Sequence, residues 1–176
     1  LVDHIREVCD RLAREGFVAL APDLYRGESA TDPGAAGRLM MELELPRAAR
    51  DLEAAVAALV NHHAVNGGKV AAIGFCMGGQ LALYAAALSP RISAVVDCYG
   101  VHPNVRVDFA NVRAAVRCRA AAAARAPPSL QSPLVKTAAS SNHANVDIAS
   151  TMQACMPLCV AASRTPSLTT PSLCPC

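Results

Sequence analysis

Lys69-Val70-Ala71-Ala72-Ile73-Gly74-Phe75-Cys76-Met77-Gly78-Gly79 decides how this chain folds. A short apolar run ended by glycine predicts a buried strand. The G-x-C-x-G-G that follows has the form of a nucleophile elbow, the sharp strand-to-helix turn that lifts a reactive side chain out of a sheet. Most such turns carry a serine, whereas this one carries a thiol. Gly74 and Gly78 suit a bend so tight that a Cβ at either place would collide, and Gly79 lets the new helix lie close to the strand. Cys76 would then sit at the positive end of that helix, where the dipole favours thiolate over thiol. The Met77 amide would point to where an ester oxyanion develops. The pattern is one for acyl transfer.

Outward from this turn the chain alternates helix and strand. Asp3 to Glu15 reads as an amphipathic helix, with Ile5, Val8, Cys9 and Leu12 on one face and Gly16 closing it. Phe17-Val18-Ala19-Leu20-Ala21 is a continuous apolar run, as expected of a strand covered on both faces. Pro22-Asp23-Leu24-Tyr25-Arg26-Gly27 leaves its carboxyl end, the edge where ligands bind in open parallel sheets. A polar, lid-like excursion follows, with a short helical piece around Leu39 to Leu43. A long helix starts near Pro46 and carries the stripe Ala48, Leu52, Ala55, Val56, Leu59 and Val60. Beyond the elbow, a helix runs to about Ser89 and Ile92 to Tyr99 makes a third strand. This order predicts an α/β fold, a parallel sheet with right-handed crossovers and helices on both faces. Three strands are too few to close such a core, so more are expected at each end.

Composition divides the chain near Ala114. All ten glycines lie at or before Gly100, and every aromatic residue lies at or before Phe109. Up to Ala114 there are eleven basic and thirteen acidic residues, net −2, and beyond it five against one, net +4. The overall charge of +2 is thus set by the tail and does not argue for nucleic-acid binding. Residues 115–176 hold seven prolines and five cysteines with no regular period, and they read as a largely disordered tail following a domain of residues 1–114. Cys155, Cys159, Cys174 and Cys176 have no paired histidine or second C-x-x-C, so neither a metal nor any other cofactor is expected. Cys9, Cys76 and Cys98 fall in periodic segments, as in a reduced cytoplasmic protein. No apolar run is long enough to span a bilayer and no signal peptide opens the chain, so no membrane partner is expected.

Residues 1–114 resemble the dienelactone hydrolase family, a branch of the α/β-hydrolase superfamily with a cysteine nucleophile. The likeness is carried by His4–Ala21 leading into Pro22-Asp23-Leu24-Tyr25, by Asp51-Leu52-Glu53-Ala54-Ala55, by Gly67 to Gly79, and by Cys98-Tyr99-Gly100. The resemblance implies hydrolysis of a lactone or carboxylic ester by a Cys–His–Asp triad. It places the nucleophile at Cys76, one oxyanion donor at the Met77 amide, and a substrate-carboxylate clamp at Arg26, displaced by about one residue from the family's arginine. It also implies a partial fold. The family's thiol-contacting glutamate, its second oxyanion amide and its first strands precede the position of Leu1. The contexts of its triad aspartate and histidine do not follow Ala114. A glycine-free Arg/Ala/Pro/Ser/Cys-rich tail after an α/β pattern is what a reading-frame error in a GC-rich gene would produce.

Plainer readings stand beside these. A free cysteine is usually a small buried hydrophobe, and Arg26 would otherwise be a solvated loop charge. Asp23 is expected to brace its loop and Asp97 to be a structural polar group near the sheet edge. His4, His62 and His63 read as surface residues, whereas His102, three residues past the third strand, could approach the active edge as a substitute base. His143 and Asp147 have suggestive spacing without a frame to hold them. The expected activity is hydrolysis, impaired for want of the triad Asp and His. The alternative is a non-catalytic fragment that self-associates or binds a partner through incomplete sheet edges. A redox sensor pairing Cys76 with Cys98 is a third reading.

Overall fold

The computed structural model describes residues 1–119 and 158–163. Among the described residues, four α-helices and five strands follow in the order α1 (Asp3–Arg14), β1 (Phe17–Leu20), α2 (Pro33–Met41), α3 (Leu45–Val60), β2 (Val70–Phe75), α4 (Met77–Leu88), β3 (Ile92–Cys98), β4 (Ala115–Arg119) and β5 (Leu158–Ser163), with a single 3-10 turn at Phe109–Asn111 before β4. They build one five-stranded sheet in the order β1-β5-β2-β3-β4. Strands β2, β3 and β4 run parallel, and β5 lies antiparallel between β1 and β2.

Local sequence explains most of the boundaries. Gly16, at φ 88°, takes the left-handed backbone that ends α1. Asp32 caps α2 by accepting from the Ala35 amide at 2.9 Å, with Pro33 at the first helical position. On α3 the buried residues are Ala48, Leu52, Ala55, Val56 and Leu59, the spacing of a single apolar face. Helix α4 is different. Met77, Gly78, Gly79, Leu81, Ala82, Leu83, Ala85 and Ala86 are all buried, so it is wrapped on nearly every side, and its small residues let neighbours come close.

The core lies between these two helices and one face of the sheet. Val70 and Ala72 of β2 and Val95 of β3 pack with Leu52, Val56 and Leu59 of α3 and Met77, Leu81 and Ala82 of α4. Along β2, Val70, Ala72 and Gly74 are buried while Ala71, Ile73 and Phe75 are half-buried, so the opposite face is less completely covered. Helix α1 packs on β1 and β5 and buries Ile5 fully. Among the described residues no helix is long and apolar enough to cross a membrane.

Three features differ from the sequence expectation. Strand β1 is not covered on both faces: Phe17 is exposed and the rest half-buried, because among the described strands β1 lies at the sheet margin beside β5. Helix α2 begins at Pro33, well before the short piece expected around Leu39. The segment after Ala114, which carried no readable period, supplies two strands. One of these, β5, occupies the slot between β1 and β2, and its Ala162 belongs to the core. His143, Asp147, Cys155, Cys174 and Cys176 lie outside the described residues.

Candidate active site

Strand β2 delivers the chain to Cys76, and α4 starts at the next residue. Cys76 has φ 51° and ψ −129°, a conformation that L-residues avoid and that costs about 1–3 kcal/mol. The surrounding backbone holds it there. Its amide donates to the Cys98 carbonyl at 3.0 Å, and its carbonyl accepts from the Gly79 amide at 2.9 Å. A Cβ on Gly74 would run into the Gly78 carbonyl, so the bend closes only with glycine at that position. Cys76 is half-buried, between a fully buried Met77 and the end of β2. Met77 and Gly78 open α4, so their amides belong to its positive end.

Behind the bend stands Asp97, on the β3 position that pairs with Gly74. A Cβ on Gly79 or Gly100 would collide with its Oδ1, so the carboxylate fills the room that two missing side chains leave. The same oxygen accepts from the Gly100 amide at 2.8 Å. Asp97 thereby fixes the turn after β3, where Tyr99 has φ 47°. The carboxylate also receives a hydrogen bond from the thiol of Cys118 on β4. Although Cys118 is exposed as a residue, desolvation of its thiol pushes it up, and the Asp97 charge and hydrogen bond push it further. Burial likewise raises the Cys98 thiol, with Arg119 opposing and Asp97 adding.

Arg26 sits elsewhere. At φ 53° it lies within the turn braced by Asp23, whose carboxylate accepts from the Tyr25 amide at 3.2 Å and the Gly27 amide at 2.9 Å. Its Nη2 donates to both carboxylate oxygens of Asp51 on α3, at 3.0 and 3.2 Å. The pair borders an open cleft of about 430 Å3 lined also by Leu20, Pro22, Asp23, Ala54, Ala55 and Ala58. Cys76 is not among the residues lining that cleft. The structure therefore brings Gly74, Cys76, Met77, Gly78 and Gly79 together and sets Arg26 against Asp51.

The described histidines are placed apart from the role of a base. His62 and His63 stack at 4.4 Å after α3, before the amino end of β2 and so away from the edge that carries Cys76. His4 is exposed on α1. His102 is buried, not poised at an open edge, and both ring nitrogens contact backbone, Nε2 at the Met40 carbonyl (3.0 Å) and Nδ1 at the Asn104 amide (3.1 Å). Sequence reasoning missed this network, and it missed Gln80, whose Oε1 accepts from the His102 amide at 3.2 Å and whose Nε2 donates to the Val105 carbonyl at 3.0 Å. The only available signal was the adjacency of Gln80 to the elbow glycines.

The protein named "Putative carboxymethylenebutenolidase" of Aquifex aeolicus is 37% identical over 116 residues, 64% of this chain and 50% of that protein. A Bradyrhizobium protein named "Probable 2-oxo-3-(5-oxofuran-2-ylidene)propanoate lactonase" is 36% identical over 101 residues, covering 56% of this chain and 40% of its own length. A Yersinia pestis protein, also named "Putative carboxymethylenebutenolidase", is 36% identical over 103 residues, 56% of this chain and 38% of that protein. The chain thus spans half or less of the length of these curated relatives. No solved structure matches it at comparable stringency. The sequence model of the Dienelactone hydrolase family matches residues 1–154, past the stretch ending at Ala114 that carries the resemblance. With its cysteine-bearing bend between β2 and α4, the chain belongs to the dienelactone hydrolase family.

Proposed function

We propose that this chain carries the nucleophile of a cytoplasmic cysteine hydrolase that opens lactones or cleaves carboxylic esters, the chemistry named for its relatives. The observation that supports this most is the backbone of Cys76. A non-glycine residue held at φ 51° between a strand and a helix is strain with a use, since it turns the side chain away from the sheet. The Cys76 thiolate attacks the carbonyl carbon and forms a C–S bond. The Met77 amide faces the oxyanion, the C–O bond then breaks, and the leaving oxygen takes a proton. Water completes the cycle by attacking the thioester, releasing the acid and returning a proton to sulfur. Arg26 contributes only if a substrate carboxylate displaces Asp51.

Turnover is impaired in this reading. The resemblance finds no context for the family's triad aspartate and histidine after Ala114, His143 and Asp147 lie outside the described residues, and His102 is committed to backbone partners. Losing a triad member costs about three to six orders of magnitude in rate. Mixing the protein with a p-nitrophenyl ester tests the assignment. The expected trace is a burst of about one phenolate per chain followed by a very slow phase, with no burst in Cys76→Ala. Equal release by Cys76→Ala rules the nucleophile out.

A second reading, self-association, draws on the sheet margin. All five residues of β4 are exposed, including Val116 at 44%, and an open edge strand templates pairing with another chain. Sedimentation velocity decides it: dimers that Val116→Lys dissolves support it, and a monomer at high concentration removes it.

A further inference from the structure

His102 is 3% exposed, and its two contacts admit only one form of the ring. The Asn104 amide can only donate, so Nδ1 accepts; the Met40 carbonyl can only accept, so Nε2 carries the hydrogen and donates. The imidazole therefore joins two segments far apart in sequence. On one side is the loop after β3, tied to the first turn of α4 through Gln80. On the other is the last turn of α2, whose Met40 carbonyl, among the described residues, otherwise meets the Leu43 amide at a long 3.4 Å.

Helix α2 needs such a tie. It is nine residues long and buries none of them fully, and Met41 at its end is 47% exposed. A helix with so few apolar anchors belongs to the low-stability end of a fold. Its last turn meets the His102 ring just past the carboxyl end of β3, and the same loop is tied through Gln80 to the first turn of α4, the helix that starts beside Cys76.

We propose that His102 is a positioning residue whose Nε2–H holds α2 over the carboxyl edge of the sheet and so sets how large a group reaches Cys76. The proposal deepens the hydrolase reading by assigning its size selectivity, and it is tested without requiring turnover. His102→Asn keeps an acceptor for Asn104 but cannot reach Met40, whereas His102→Gln extends an amide donor to the Met40 carbonyl. Two measurements separate them. One is amide hydrogen exchange over residues 33–41. The other is site-resolved labelling of Cys76 by N-ethylmaleimide and by the bulkier N-pyrenylmaleimide. In His102→Asn, exchange over α2 rises about tenfold while α4 and β3 hold, and the pyrenyl-to-ethyl labelling ratio rises several-fold. His102→Gln stays near the unmodified protein in both.

Unchanged exchange over α2 in His102→Asn overturns the proposal. So does faster exchange with an unmoved labelling ratio, or a loss of protection spread over the whole domain in both variants. Failure of esters to acylate Cys76 would count against the hydrolase reading and leave these outcomes intact.

Discussion

The amide of Cys76 donates to the carbonyl of Cys98 across 3.0 Å, so the bend that carries the thiol is anchored to the last residue of the neighbouring strand. That bond joins the strained turn to the parallel sheet. It explains how a conformation unfavourable in isolation persists, since β3 fixes the position that the turn must meet.

Gly74 is the residue on which the bend is least negotiable. Gly74→Ala drives a methyl into the Gly78 carbonyl, backbone that cannot move without unwinding the start of α4. The variant is expected to lose about 3 kcal/mol. Urea unfolding followed by circular dichroism measures it, and wild-type stability would show that the turn is looser than described.

Asp97 supports the same turn from behind. Asp97→Asn removes a charge-assisted bond to the Gly100 amide and is expected to cost about 1–3 kcal/mol. It also removes the negative charge that, after burial, raises the Cys118 thiol. Cys118 should then ionise more readily, and iodoacetamide at pH 8 should label it faster than in the unmodified protein. Slower labelling would mean that the carboxylate does not govern that thiol.

Asp23 makes stability depend on acid. Burial alone would raise its carboxyl above the ordinary 3.8, but the bonds from the Gly27 and Tyr25 amides help to hold it lower. A carboxyl depressed on folding stabilises the fold above the unfolded-state value, and the contribution is lost as pH falls through the folded value. With its side chain 31% exposed, Asp23→Asn should cost about 1 kcal/mol at pH 7. The difference should close toward pH 3 and below. Urea titrations at both pH values check this, and a gap that widens in acid contradicts it.

Much of this arrangement is legible in the residues themselves. The elbow, the stripe on α3 and the cap at Gly16 are local patterns, and local geometry enforces them. The placement of β5 is not local. Its six residues pair antiparallel with two strands more than eighty residues away, and nothing in Leu158–Ser163 names those partners. Strand β4 alternates Val116 and Cys118 with arginines, a period-two pattern hidden by the abrupt change in composition around it. Arg26 was readable as a basic residue in a ligand-side loop, but its pairing with Asp51 depends on how α3 docks. His102 shows the same limit, because proximity to a strand end predicts an edge position and says nothing of the carbonyl of Met40 waiting there.

The sharpest test of Cys76 is where an acyl group lands. One equivalent of p-nitrophenyl acetate is added, the protein is quenched in acid, and the adduct is mapped by peptide mass spectrometry across all eight cysteines. The account predicts a single acetyl on the peptide containing Cys76, absent from Cys76→Ala. Acetyl spread over Cys9, Cys98 and Cys118, or none on Cys76, would contradict it.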